Sequence, residues 1–253
     1  MDDLQLLIDL HITADRQGPG GEAETRRAIE LSGLSKRRNL KVADIGCGTG
    51  ASTLVLAKEL DAQIVAVDFI PEFLDVLRSR AASAGVAERI ETVNTSMDEL
   101  PIEPGSLDAI WSEGAIYNMG FENGIKEWRT LLKPGGLLAV SELTWLTASR
   151  PAELEEHWRA QYAEVGTASS KMAVLERNGY TPIGYFTLAP HCWLDAYYLP
   201  MKKRFPAFLA KHESNAAAQA VVAAEELESA LYAQYRDFVS YGYYVARKTH
   251  DAP

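Results

Sequence analysis

The ten residues Val42-Ala-Asp-Ile-Gly-Cys-Gly-Thr-Gly-Ala51 set an apolar run, an acid and three alternate glycines directly before a helix-forming segment. Residues 40–45 have the length and composition of a buried strand and residues 52–60 read as a helix, so Gly46, Gly48 and Gly50 fall where one becomes the other. At such a turn glycine permits positive φ and close backbone approach, and the helix start presents unpaired N–H groups to whatever lies against it. This strand-turn-helix pattern is that of a nucleotide site in an α/β sheet. Gly46, Gly48 and Ala51 also satisfy the G-x-G-x-x-G/A dinucleotide fingerprint, so the spacing leaves two readings open. Asp44 tilts between them: a carboxylate at the end of the first strand suits a cationic ligand group or an ammonium, and repels a pyrophosphate.

Further strands and acids follow at regular intervals. Residues 62–68 read as a second buried strand ending in Asp68, which lies 22 residues after Gly46. That is close to the roughly 20-residue offset at which a carboxylate reaches a ribose. Phe69 comes next, suited either to packing on a base or to the core. A helix is expected over 71–84, a strand over 90–95 with Ser96-Met97-Asp98 at its carboxyl end, and a strand over 107–112 leading into Ser112-Glu113-Gly114. Residues 121–132 have helical spacing, Lys133-Pro-Gly-Gly136 ends that helix, and 137–142 supplies a fifth strand.

The motif Asp44-Ile-Gly-Cys-Gly-Thr-Gly50, followed about 90 residues later by Leu-Leu-Lys-Pro-Gly-Gly136, resembles the class I S-adenosylmethionine-dependent methyltransferases of the small-molecule type. The resemblance covers residues 40–142 by motif and the last strand by order. It implies a Rossmann-like α/β fold: a seven-stranded sheet, mostly parallel with an antiparallel strand near one edge, helices on both faces and a helical lid. It implies S-adenosylmethionine as cofactor and methyl transfer by in-line displacement to a small-molecule acceptor. Cofactor contacts are expected from Asp44, Gly46, Cys47, Gly48, Thr49 and Gly50, from Asp68 and Phe69, from Ser96, Met97 and Asp98, and from Ser112 and Glu113. Asp98 would reach the adenine amino group, or else serve as a turn cap. Glu113 and His191 are the candidate bases, each with a structural role as the alternative. A non-catalytic cofactor-binding protein remains an alternative, and so does an NAD-dependent oxidoreductase, although no Tyr-x-x-x-Lys constellation supports the latter.

The flanks carry no motif tied to a substrate. Leu4, Leu7, Ile8 and His11 recur at helical spacing, a second helix is expected over 22–31, and Gly18-Pro-Gly-Gly21 between them is a connector or a hinge. Beyond 143, Trp145, Trp158, Tyr162, Trp193 and Tyr197 concentrate aromatic groups that serve as a lid or as core, and Trp193 and Tyr197 can face a cationic amine through their π surfaces. A helix over 171–178, a strand over 181–188, a long helix over 216–238 in which Val221, Ala224, Leu227, Leu231, Tyr235 and Phe238 keep helical spacing, and an antiparallel last strand over 241–247 complete the reading. The domain organisation expected is a single domain, 1–253, with an N-terminal helical cap (1–39), a cofactor-binding core (40–142) and lid insertions with the rest of the sheet (143–253).

Composition narrows the partners. At 253 residues with 47% hydrophobic content the chain can bury a sizeable core, and no run approaches the roughly 20 apolar residues of a membrane span. The acidic start Met1-Asp2-Asp3-Leu4 is unlike a signal peptide, so a cytoplasmic location and no membrane partner are expected. Two distant cysteines, Cys47 and Cys192, and five histidines (11, 157, 191, 212, 250) match no metal-ligand spacing, so no metal is expected. A net charge of −10, with only the short clusters Lys36-Arg-Arg38 and Lys202-Lys-Arg204, disfavours nucleic acid. Those clusters read as a solvated linker and a solvated helix face; a homo-oligomer is left open.

Overall fold

Strands β1 (Leu40–Ile45), β2 (Ala62–Asp68), β3 (Ile90–Asn94), β4 (Leu107–Glu113), β5 (Leu132–Trp145), β6 (Gly166–Thr167), β7 (Tyr180–Thr187) and β8 (Val239–Lys248) hydrogen-bond into one sheet. These coordinates come from a computed structural model in which residues 3–249 are described; Met1, Asp2 and His250 lie outside the described residues. The order along the sheet is β3-β2-β1-β4-β5-β8-β7, with two-residue β6 paired to the end of β5. Every pair from β3 to β5 is parallel, and β8 runs antiparallel between β5 and the edge strand β7. The sheet thus has the expected mostly parallel order with one reversed strand near an edge. Chain direction along the sheet turns back between β1 and β4, which opens a crevice beyond their carboxyl ends.

Helices α1 (Asp3–His11), α2 (Glu22–Ser32), α3 (Ala51–Glu59), α4 (Pro71–Ser83), α5 (Phe121–Arg129), α6 (Ala152–Gln161), α7 (Ala168–Arg177), α8 (Pro190–Trp193), α9 (Leu199–Lys211) and α10 (Ala216–Tyr235) surround the sheet. Because successive strand residues point to opposite faces, β1 feeds two cores. Val42 packs with Ile29 of α2, Leu56 of α3 and Trp193, while Ala43 and Ile45 pack with Ile125 and Trp128 of α5 and Leu175 of α7. Burial on both faces explains why β1 and β2 read as mostly apolar runs, interrupted at the exposed Lys41 and Gln63. Among the described residues, no helix is long and apolar enough to cross a membrane.

Five sequence expectations are corrected. Helix α5 stops at Arg129, not Leu132, and Lys133-Pro-Gly-Gly136 lies inside β5. The reason is tertiary: buried Lys248 of β8 donates to the carbonyls of Arg129 and Leu132, and Leu132 already pairs with Leu107 before the register shifts to Ala109 and Leu137. Helix α10 ends three residues early, and its buried stripe is Ala218, Val222, Ser229 and Tyr232 with Leu231, whereas Leu227 is exposed. The segments between 145 and 215 that read as irregular contain α6, α8 and α9, the last continuing through Pro206. In α1 the core side is Leu6 and Leu10; Leu7, read as core, is exposed. The basic clusters are less solvated than expected, since Arg37 pairs with buried Asp108 and Arg204 donates to the Leu10 carbonyl at the end of α1.

Trp193 resolves as core. It is 1% exposed, its ring stacks 4.4 Å from Tyr232 and meets Tyr241 edge-on at 4.8 Å, and its Nε1 donates to Ser240 Oγ. Trp193→Ala is therefore expected to cost about 3–5 kcal/mol, the range for truncating a large buried aromatic. Equilibrium denaturant unfolding checks this, and a loss too small to measure would show that the ring is not a packing element.

Candidate functional site

The turn after β1 is left-handed at all three glycines, with φ of 72° at Gly46, 55° at Gly48 and 89° at Gly50. Neighbouring protein also demands glycine at two of them: a Cβ would stand 2.4 Å from the Ala115 Cβ at Gly46 and 2.1 Å from Leu77 Cδ1 at Gly50. The turn is tied to β2 by Asp68, whose carboxylate accepts from the Gly48 N–H at 2.8 Å and the Ile70 N–H at 2.9 Å. Burial raises the Asp68 pKa against the pull of these backbone donors. Each oxygen keeps acceptor capacity beyond the one bond it already takes. Phe69 follows with 60% of its surface exposed, on the wall of a cavity of about 1010 Å³. Ser96, Met97 and Asp98 line the same cavity, the Ser96 hydroxyl bonding the Asp98 carboxylate.

Glu113 stands at the end of β4 in the same wall. Its carboxylate accepts from Arg16 Nη1 at 2.6 Å, Thr25 Oγ1 at 2.7 Å, Trp111 Nε1 at 3.0 Å and Tyr243 OH at 2.9 Å. Burial alone would raise its pKa, but the Arg16 guanidinium and these donors outweigh it and hold the carboxyl below the usual range. A carboxylate so bonded and so acidic is a poor base, which corrects that expectation. What Glu113 does is fix Arg16, whose Nη2 also donates to Thr25 Oγ1 and which lines the cavity as a buried cation. Nothing in the sequence around Arg16 announced it.

Several expected contacts lie off the cavity wall. Asp44 is fully buried beneath the turn, accepts from Ser52 Oγ and Thr53 Oγ1, and is pushed by burial up to about 7. It thus organises the start of α3 and does not face a ligand cation. Thr49 is fully buried against Gln17, its N–H donating to Gln17 Oε1 at 2.9 Å and its hydroxyl taking a bond from Arg80 at 2.8 Å. Gly50 abuts Leu77, and Ser112 is buried with Oγ unpartnered. His191 is exposed outside the cavity, its Nε2 3.7 Å from Glu24, so it cannot act there as a base. Glu24, His191 and Cys192 bring three ligand-type atoms within 4.8 Å of one another, a grouping absent from the sequence spacing. Gly46, Cys47, Gly48, Asp68, Phe69, Ser96, Met97, Asp98 and Glu113 do share the cavity wall.

The other end of the cavity lies under α1 and α10. Tyr117, Trp158, Tyr162, Tyr197 and Tyr241 line it with Glu225 and Glu228 of α10. Leu4, Leu7, Ile8 and His11, read as the packing face of α1, look onto this space. Behind Tyr162 sits a buried pair, Lys171 and Glu142, 3.4 Å apart, with Lys171 Nζ 4.4 Å from the Phe121 ring.

Substituting Glu113→Gln leaves the Arg16 charge buried without its partner, which is expected to cost about 3–5 kcal/mol at neutral pH. Because the folded-state pKa of Glu113 is depressed, its contribution is present above the ordinary glutamate range and lost as pH falls through the lower folded value. Wild type and variant should therefore converge in stability on acidification; a difference constant with pH in denaturant titrations would contradict this.

Residues 42–136 match the family described as "Methyltransferase domain". The 27-O-demethylrifamycin SV methyltransferase of Amycolatopsis mediterranei is 29% identical over 136 residues, 53% of this chain and 49% of that protein. The ubiquinone biosynthesis O-methyltransferase of Xanthomonas euvesicatoria is 31% identical over 134 residues, 51% of this chain and 55% of that protein. The chain thus spans about half the length of the curated relatives it matches. The solved SAM-dependent methyltransferase from Thiobacillus denitrificans, in complex with S-adenosyl-L-homocysteine, aligns with a TM-score of 0.85 at 18% identity over 98% of this chain and 100% of that one. At that identity the likeness is one of fold. Residues 42–136 thus match a methyltransferase domain, and the glycine turn after β1 with the reversal between β1 and β4 gives the chain the fold of the solved methyltransferase it resembles.

Proposed function

We propose that this chain transfers a methyl group from S-adenosylmethionine to a small-molecule acceptor by in-line displacement. The observation that carries the reading is one continuous cavity, with the glycine turn, Asp68 and Phe69 at one end and an aromatic, acidic chamber at the other. The residues fit an adenosyl group on their own chemistry. The Asp68 oxygens retain acceptor capacity for vicinal hydroxyls, the Phe69 ring is free for a base to stack on, and the Gly46 to Gly48 backbone allows close approach. Ser96, Met97 and Asp98 supply the facing lip. Arg16, held by Glu113, offers its remaining N–H groups to a carboxylate.

Bound S-adenosylmethionine supplies a methyl group already activated by a sulfonium. The protein's part is then mainly to align the acceptor and exclude water, for which positioning can supply much of the rate. We take residues 1–39 and 143–253 as the cap and roof that do this around the 40–142 core. The aromatic enclosure and the net charge of −10 support a small molecule over nucleic acid as acceptor.

Calorimetric titration with S-adenosylhomocysteine and, separately, NADH tests the donor assignment. Binding of the first and not the second is expected, and Asp68→Ala should weaken it roughly a hundredfold, the loss of two hydrogen bonds to a charged acceptor. No binding of S-adenosylhomocysteine to the wild-type chain would overturn the reading.

A further inference from the structure

Helix α10 breaks its own pattern at one position. Its buried stripe steps through Ala218, Val222, Ser229 and Tyr232, and the place between Val222 and Ser229, where a core side chain would stand, holds Glu225. One turn on, Glu228 is half-buried on the same side. Both carboxylates line the cavity. Charges so desolvated need a partner, yet Glu228 receives only the Tyr198 hydroxyl at 2.8 Å, and Glu225 Oε2 is buried with no donor. Among the described residues, no Lys or Arg pairs with either one. His11 Nε2 comes within 3.9 Å of Glu225, but burial, then Arg204, push the imidazole down to about 4. It is neutral at pH 7 and offsets nothing. Instead it adds a lone acceptor, since the ring is 8% exposed, lines the cavity, and leaves Nδ1 unpartnered.

The walls around these carboxylates are aromatic. Tyr197 stacks on His11 with ring centroids 6.2 Å apart, Tyr241 meets Trp193 edge-on at 4.8 Å, and Tyr117 meets Tyr162 at 6.1 Å. The carboxylates act on these same rings: burial raises the phenols of Tyr117, Tyr197 and Tyr241 first, with Glu228 among the further causes for each and Tyr117 ahead of it for Tyr241. Burial and the neighbouring Glu228 likewise push Glu225 up to about 7. The arrangement lacks one thing, a positive charge, and both carboxylate and π-face attract one.

We propose that this end of the cavity is a subsite for a small organic cation, the ammonium group of the methyl acceptor, gripped by Glu225 and Glu228 and faced by Tyr117, Tyr197 and Tyr241. That the cation is the acceptor rests on the methyl-transfer reading; that the subsite takes a cation does not. Arg16, the cation that lines the cavity, is engaged by Glu113, and Arg204, which is outside the lining, donates its Nε to the Leu10 carbonyl, so neither pairs with these carboxylates.

The test uses choline and its uncharged isostere, 3,3-dimethylbutan-1-ol, titrated into the wild-type chain and into the Glu225→Gln/Glu228→Gln double variant, with tryptophan fluorescence or heat as readout. Choline is expected to bind wild type at least about tenfold tighter than the isostere, and the double variant should lose most of that preference. Equal affinity for the two probes in the wild type, which needs no variant to fold, overturns the proposal, as does an unchanged preference in the double variant. S-adenosylhomocysteine is titrated into the same samples. Its binding undiminished in both supports the division of the cavity into donor and cation ends. Choline binding without it in the wild type would keep the cation subsite and overturn its assignment to the acceptor.

Discussion

The Glu113 carboxylate is the interaction on which the arrangement of the cavity depends. It gathers Arg16 from the segment after α1, Thr25 from α2, Trp111 from its own strand and Tyr243 from β8. A side chain at the carboxyl end of a central strand thus joins the sheet to the N-terminal segment that covers it. With both charges almost fully withdrawn from water, the pair is stable only while its hydrogen bonds remain complete. Gln17 continues the attachment one residue on by bonding Thr49, so Arg16 and Gln17, directly before the Gly18–Gly21 segment, are anchored and form part of the cavity wall.

Polar groups without full partners collect around this crevice. Asp44 Oδ1, Ser112 Oγ, Glu142 Oε2 and Glu225 Oε2 are all buried and unpartnered among the described residues. The first three lie at the carboxyl ends of β1, β4 and β5, the ends from which an open parallel sheet presents its ligand site. Other buried polar atoms without a partner, such as Ser106 Oγ and Tyr232 OH, lie away from the crevice, whereas Asp108 closes its contacts with Arg37, Lys133 and the Lys41 N–H.

The two ends of the cavity differ in what makes them. The donor end is built from backbone: left-handed glycines, N–H groups on Asp68, and strand termini whose positions follow from sheet order. The far end is built from side chains on α1, α6 and α10 with Tyr117, Tyr162, Tyr197 and Tyr241, which are far apart in sequence and meet only through tertiary packing. Catalytic expectations failed for a related reason. Glu113 and His191 were singled out by residue type and position, but a base is defined by what surrounds it. Glu113 is saturated with donors, and His191 faces outward.

The sequence by itself determined the fold class and the glycine turn at one end of the cavity. Strand and helix periods, the alternate glycines and the acid at the end of β2 are local, because each depends on residues near in the chain, and the backbone they specify carries the function there. The register of β5, the early stop of α5, the buried face of α10, the Arg16 to Glu113 bond and the enclosure of Glu225 were decided only by tertiary structure. Each joins groups far apart in sequence, Arg16 to Glu113 across 97 residues, and no local spacing encodes which distant side chain desolvates or neutralises a charge. The one trace left in the chain is Glu225, a charged residue where the 3–4 rhythm of α10 calls for an apolar one. Reading it requires knowing which face is buried, and packing alone settles that.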